Sequence, residues 1–249
     1  AKVYKEAAKR SFKQAVQYQE GRKSKNSRRQ RAMEKGSKFG RKQQEESWHN
    51  AEVDALYRLA EAGVRVPTPY GCFDGVLLME LVTYDDDGEV APRLNDVSMS
   101  VEQAREDHAT VMNDVKRMLV AGIVHGDLSE FNVLVDDYGP VIIDLPQAVD
   151  AAANNHAKSM LERDVNNMSE YYGQYAPELL RTNYAKEMWA LYEDGDLTAD
   201  TELTGLFEEA TESADVDSVM DEIRSVLAEE RKRQERLENA DDNFTYEEM

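Results

Sequence analysis

The sequence predicts an α+β fold, and three observations carry that prediction. Two pairs of short apolar runs, 70–73 with 76–82 and 133–135 with 141–143, are each separated by a turn signal, Asp74-Gly75 in the first case and the stretch 136–140 in the second. Helical periodicity with capping residues at its ends occupies 100–122 and most of 154–193. A chain of 249 residues with 41% hydrophobic residues, 13 glycines and 6 prolines has the composition of a globular protein with a sizeable core, in one large domain or a domain with an appendage.

In chain order, residues 1–4 form a short strand that already resembles the interior of a sheet, and an opening Ala1 in place of methionine reads as a fragment or a processed start. The segment 21–41, GRKSKNSRRQRAMEKGSKFGR, is basic, rich in Ser, Asn and Gly and poor in aliphatics, so a mobile loop is expected there. A helix follows over 43–62, with Trp48, Val53, Leu56, Tyr57 and Leu59 as its apolar residues and Gly63 as its C-cap. Pro67 and Pro69 interrupt the chain before the first hairpin, whose Cys72 is expected to be a small buried hydrophobe. The acidic turn 85–88 and Pro92 make a linker, and Ser100 caps a long helix that ends at Gly122. Helices are expected over 154–172, 177–180 and 184–193, and over 217–236, where Val219, Met220, Ile223, Val226 and Leu227 share a face.

Charge is segregated. Residues 1–43 carry 15 Lys and Arg against Glu6, Glu20 and Glu34, a net of +12, while the remainder carries −32. The acidic bulk excludes broad nonspecific binding to nucleic acid or anionic membrane, so any polyanion such as RNA must meet the basic arm. No apolar run approaches the ~18 residues of a membrane span, and no membrane partner is expected. The single cysteine forbids an internal disulfide framework, which fits a reducing cytoplasm. His49, His108 and His156 show no ligand spacing, and no metal-histidine site is expected.

Chemistry concentrates between residues 125 and 144. Phosphoryl transfer asks a protein for a carboxylate near the incoming hydroxyl, oxygen ligands for magnesium and a cation on the nucleotide phosphates. His125-Gly126-Asp127-Leu128-Ser129-Glu130-Phe131-Asn132 supplies an Asp and, five residues on, an Asn, just before a strand. Asp144 closes the paired strand, so a hairpin brings Asn132 and Asp144 to one ion while Asp127 remains to orient a hydroxyl. This is the order of a protein-kinase catalytic loop and metal aspartate, with two departures: Ser129 stands where those enzymes carry Lys, and Asp144-Leu145-Pro146 replaces Asp-Phe-Gly. Ser129 either bonds within the loop or touches the transferring phosphate. His125 is expected to pack and hydrogen-bond structurally.

Taken together, HGDLSEFNVL, IIDLPQAV, the opening AKVYK and AGVRVPTP resemble the RIO family of atypical serine/threonine protein kinases, in particular its bacterial members. The resemblance runs from Lys2 to about Tyr192. It implies a bilobal protein-kinase-like fold: a partial, sheet-containing N-lobe at 1–82 with its first strands missing and a basic mobile loop at about 21–42, a mostly helical C-lobe at 83–195, and an acidic helical extension and tail at 196–249. It implies ATP and Mg2+ as cofactors and a protein substrate, the chain itself included. Lys2 matches the strand lysine on the nucleotide phosphates and Glu52 the helix glutamate paired with it. Asp127 matches the catalytic aspartate, and Asn132 and Asp144 the metal ligands. Met79, Glu80 and Val82 lie in the connector whose backbone takes the adenine edge, and Asp164 matches a buried aspartate that ties down the catalytic loop. The phosphate-covering loop of the family lies before the lysine, where this sequence begins.

Three functions compete. The first is an ATP- and magnesium-dependent kinase acting on seryl or threonyl hydroxyls. The second is an ATPase-type switch in ribosome maturation, with the basic arm on a ribosomal particle. The third, a small-molecule kinase, needs a larger helical insert than the roughly forty residues before the catalytic loop provide, and it ranks last.

Overall fold

A computed structural model describes residues 1–3, 51–73, 76–85 and 88–207. The basic segment 21–41, the turn 74–75 and the helix expected over 217–236 lie outside the described residues. The described chain belongs to one compact unit ending at Phe207.

Strand β1 (Lys2–Val3) is followed by helix α1, described over 51–61, then by β2 (Pro69–Phe73) and β3 (Val76–Met79). These strands make an antiparallel sheet in the order β1-β3-β2, with Lys2 opposite Leu77 and Cys72 opposite Leu77 from the other side. Leu77 is buried because it lies on the face of β3 that joins the core with Leu56 and Leu59, whereas Leu78 next to it points outward. Cys72 corrects the expectation: it is exposed, on β2, which is an edge strand of the sheet among the described residues. β3 also ends at Met79 rather than at residue 82, since past Glu80 the chain turns outward and Leu81 is exposed. In α1 the buried stripe is Glu52, Ala55, Leu56 and Leu59, spaced as one helical face, whereas Tyr57 points outward.

Past the first sheet, Thr83 and Val90 form an isolated antiparallel bridge. A 3-10 turn at Leu94–Asp96 then leads to the long helix α2 (Val101–Val120), where the Ser100 side chain accepts the Gln103 N–H at 3.1 Å. β4 (Ile123–Val124) precedes the loop 125–132, whose last residues, Glu130–Asn132, form a 3-10 turn. β5 (Val133–Asp136) and β6 (Gly139–Ile142) make the second hairpin, one residue shorter at its end than the apolar run suggests. β7 (Val149–Asp150) pairs with β4, a contact invisible in two-residue runs. Helices α3 (Ala157–Gly173) and α4 (Tyr184–Asp194) flank a 3-10 turn at Pro177–Arg181.

One large core joins these elements. Leu56, Leu59 and Leu77 from the first sheet and α1 share it with Met112, Met118 and Leu119 of α2, Leu128 of the loop and Leu161, Met168 and Tyr172 of α3. Leu197 joins the same core, and Lys116 of α2 donates to the Thr201 carbonyl at 2.7 Å, so residues just past α4 fold back onto α2.

Candidate active site

The loop 125–132 is held from below by α3. Buried Asp164 accepts the backbone N–H groups of Gly126 at 2.7 Å and Leu128 at 3.0 Å, one on each carboxylate oxygen. Burial pushes its carboxyl up to about 7 against the opposing effect of those two donors. Three residues along the same face of α3, Asn167 donates to the Leu128 carbonyl at 2.9 Å. Arg163 donates to the carbonyl of Gly126. A loop without regular structure thus has its backbone groups paired by side chains of the neighbouring helix. Gly126 takes a φ of 81°, a left-handed conformation that a side chain would disfavour.

His125 is buried with both ring nitrogens engaged: Nδ1 accepts the Asp127 N–H at 3.3 Å and Nε2 faces the Ile143 carbonyl at 3.1 Å. A carbonyl can only accept, so the proton sits on Nε2. Burial pushes the imidazole down to about 4 and keeps it neutral. His125 is therefore a structural bridge between the loop and the end of the second hairpin, as its sequence context implies.

Two carboxylates and an amide emerge from this scaffold. Partial burial, with Asp144 as a further like charge, raises the Asp127 carboxyl, while Arg163 and Gln147 oppose the rise. Its Oδ2 accepts the Gln147 amide at 2.9 Å. Asn132 donates its Nδ2 to the Asp127 carbonyl at 2.8 Å, leaving Oδ1 as the atom it can offer a cation. The Ile143 N–H donates to the Asn132 carbonyl at 2.9 Å, which seats Asn132 beside the end of β6. Asp144 follows with a φ of 66°, the one non-glycine residue with positive φ among the described residues. Such a conformation costs of order 1 kcal/mol or more and persists where its surroundings hold it.

What holds it is Lys2. Its Nζ lies 2.5 Å from Glu52 Oε1 and 2.6 Å from Asp144 Oδ1, so one ammonium ties the β1 strand, the α1 helix and the residue after β6 together. Burial works against the charge on Lys2, but Glu52 and Asp144 outweigh it and raise the amine. Glu52 is only 4% exposed and its Oε2 has no partner among the described residues, whereas Asp144 is 47% exposed and faces solvent.

The donor set suits a hard cation. Oxygens from one carboxylate and one amide, with no cluster of three or more His, Cys, Asp or Glu among the described residues, are too few for a closed protein cage. They match magnesium, which is usually held by one or two protein ligands plus substrate phosphates. Ser129 lies between Asp127 and the 3-10 turn and makes no side-chain cap bond. In the connector, Glu80 turns its carboxylate back to Thr68, accepting the N–H at 2.9 Å and the hydroxyl at 2.7 Å, and its own N–H donates to the Thr68 carbonyl at 2.8 Å. The Val82 carbonyl accepts the Ala91 N–H at 3.1 Å.

The predicted residues Lys2, Glu52, Asp127, Asn132 and Asp144 therefore lie together, linked through Lys2 and the Asn132 contacts, and Asp164 lies beneath the loop that carries Asp127 and Asn132. Arg163 and Asn167 escaped the sequence reading, and Gln147, though it closes the IIDLPQAV motif's Asp-x-x-Gln spacing, was given no role there. The spacing of Asp164 and Asn167 on one helix face was the available signal for Asn167; for Gln147 the signal was its place three residues after Asp144, which does not say what its side chain meets.

A lysine on a small sheet, ion-paired to a helix glutamate and set beside a loop carrying Asp and Asn, is the arrangement of protein-kinase-like folds. A family model described as the RIO domain matches residues 1–185, and the chain belongs to that family. It is 40% identical over 126 residues to a RIO-type serine/threonine-protein kinase Rio1 of Haloferax volcanii, covering 51% of this chain and 42% of that protein. It is 38% identical over 115 residues to a RIO-type serine/threonine-protein kinase Rio2 of Methanocaldococcus jannaschii, covering 45% and 40%. It is 31% identical over 153 residues to the serine/threonine-protein kinase RIO1 of Homo sapiens, covering 61% and 26%. The chain spans less than half the length of each of these relatives.

Proposed function

We propose that this chain is an ATP- and magnesium-dependent serine/threonine protein kinase of the RIO type, built as a bilobal kinase with its N-lobe at 1–82 and its C-lobe at 83–195. The observation that carries the reading is the single ammonium of Lys2 shared between Glu52 and Asp144 beside Asp127 and Asn132. Lys2, oriented by Glu52, holds the nucleotide phosphates. Asn132 and Asp144 hold Mg2+, which supplies charge neutralisation on the phosphate oxygens. In the connector that starts at Met79, the committed Glu80 N–H and Val82 carbonyl leave the Glu80 carbonyl and the Val82 N–H as the acceptor and donor for an adenine edge. Asp127 orients the substrate hydroxyl, whose oxygen bonds the γ-phosphorus as the bond to the bridging oxygen of ADP breaks. The hydroxyl proton passes to the Asp127 carboxylate. Ser129 occupies the place from which an ordinary kinase lysine reaches the transferring phosphate. The substrate is a protein, the chain itself included, and the site of action is the cytoplasm; none of the described helices is long and apolar enough to cross a membrane.

The test is Asp127→Asn. Nucleotide binding should persist while phosphate transfer falls by roughly 10² to 10⁴-fold, the range of a positioned acid/base group. Transfer within threefold of the parent would remove Asp127 from this role.

A second reading, an ATPase-type switch in ribosome maturation, draws support from the short segment between Asp144 and α3. A turn at 145–148, the two-residue β7 and further turns at 151–156 fill the interval to α3 at Ala157, which leaves little room for a peptide-docking segment. Phosphoprotein product against free phosphate release from one ATP reaction separates the two.

A further inference from the structure

Gln147 is absent from the roles above, yet its amide reaches the one side chain on which the chemistry turns. Resting on the kinase reading, we infer that Gln147 is a positioning residue: by donating its amide hydrogen to Asp127 Oδ2 it fixes the carboxylate so that Oδ1 faces the incoming hydroxyl.

Hydrogen bonds between exposed side chains are usually loose, but the backbone beneath this one is not. The Ala148 N–H donates to the Leu145 carbonyl at 3.1 Å, closing a β-turn with Pro146 and Gln147 at its corners. Proline at the first corner presets the turn, and both flanking residues, Leu145 and Ala148, are in the main core. Val149 then enters β7 against Val124 of β4, the strand that launches the catalytic loop. Gln147 is therefore anchored at both sides, on a turn tied to the same strand pair as Asp127, and its half-buried side chain spans the gap.

The pairing also fits the departure at residue 129. Ordinary kinases place a lysine two residues after the aspartate, and an ammonium there both neighbours the carboxylate and reaches the phosphate. Ser129 is too short to hold Asp127 in that way. Gln147 supplies the hold with a neutral donor, which fixes the carboxylate while leaving its charge unneutralised and so more basic than an ion pair would. Because the turn begins directly after Asp144, the same few residues that present Asp144 also aim Asp127.

Gln147→Met keeps the volume and removes the donor, while Gln147→Glu keeps the shape and leaves only acceptors facing a carboxylate. Phosphate transfer, magnesium-ATP affinity by calorimetry and the melting temperature are measured for both, for Asp127→Asn, and for the Asp127→Asn/Gln147→Met double variant. A hydrogen bond to a charged group predicts a fall in kcat of about tenfold or more for Gln147→Met and a larger fall for Gln147→Glu, with ATP affinity and melting temperature near the parent values. In the Asp127→Asn background the Gln147 substitution should cost less than twofold, since the carboxylate it orients is gone. Gln147→Met within twofold of the parent, or an equal cost in both backgrounds, overturns the inference while Asp127→Asn still reports on the kinase reading. If Asp127→Asn itself transfers phosphate like the parent, the kinase reading falls and the positioning role with it.

Discussion

Lys2 and Glu52 show how a polar pair in a half-buried place becomes a constraint on substitution. Glu52 lies on the buried stripe of α1, where an unpaired charge is expensive, and Lys2 at 28% exposed is its neutralising partner. Lys2→Met should therefore destabilise the chain by on the order of 3 kcal/mol in urea unfolding, and adding Glu52→Gln should recover much of that loss. Equal stabilities for Lys2→Met and the double variant would mean that Glu52 does not feel the pair. Asp114 of α2 offers a signed pH effect. Its Oδ2 is buried without a partner among the described residues, and burial pushes the carboxyl up to about 6, even though the Arg65 backbone and the Arg117 and Arg65 charges pull it down. A carboxyl raised above its unfolded value of 3.8 stabilises the fold most at low pH. That contribution is lost as pH rises from about 4 to about 6, because the folded chain retains a proton that the unfolded chain has released. Asp114→Asn lacks this loss. The stability difference should therefore move in favour of the Asn variant across that window, by about 3 kcal/mol at most. His108 and His125, both pushed down to about 4 by burial, act in the opposite sense in both proteins and cancel from the comparison. A difference that stays flat with pH would contradict the raised carboxyl.

The elements that carry the site were legible where their signals were local. Ser100 behaves as the N-cap its position suggests, and Ser100→Ala should cost about 1 kcal/mol in chemical denaturation with the same m-value. A cost near zero would mean that water replaces the cap. The second hairpin was equally plain, since β-branched runs flank a turn. Termination was harder. β3 stops at Met79 although Leu81 and Val82 continue its apolar run, because Val82 leaves the sheet to join a second small cluster with Ala91 and Val141. Helix α3 starts at Ala157, three residues later than the pattern, because Asn154 accepts the Ala157 and His156 N–H groups and holds a turn before the helix begins. Arg65 makes a similar point: its Nη2 lies 2.8 Å from both Asp136 carboxylate oxygens and its Nη1 donates to the Pro140 carbonyl at 3.2 Å, clamping the segment after α1 to the second hairpin.

For the whole molecule, charge remains the most informative property of the parts the structure does not describe. The +12 of residues 1–43 against −32 elsewhere predicts that any RNA or ribosomal particle is met through 22–42, with counterion release making the affinity fall steeply with salt. Replacing Arg28, Arg29 and Arg31 with Ala should flatten the slope of log affinity against log salt, and an unchanged slope would leave the arm as a solvated segment.

Residue order alone determined the loop 125–132 and the Asp144 strand end, since Asp127, Asn132 and Asp144 lie within eighteen residues and a hairpin must bring them together. It also placed Lys2 in a strand and Glu52 in a helix, but their pairing came only through the family resemblance, because a lysine on a short strand and a glutamate on a charged helix carry no local signal of it. Tertiary structure decided the rest: that Glu52 faces inward, that Lys2 bridges it to Asp144 across 142 residues, that Cys72 lies at an exposed edge, and that Gln147 meets Asp127. These contacts join residues from different elements, and hydrophobic burial of Leu77, Leu128, Leu145 and their neighbours sets the distances between those elements. Periodicity reports which face of an element is buried, and it carries no information about which other element will lie against that face.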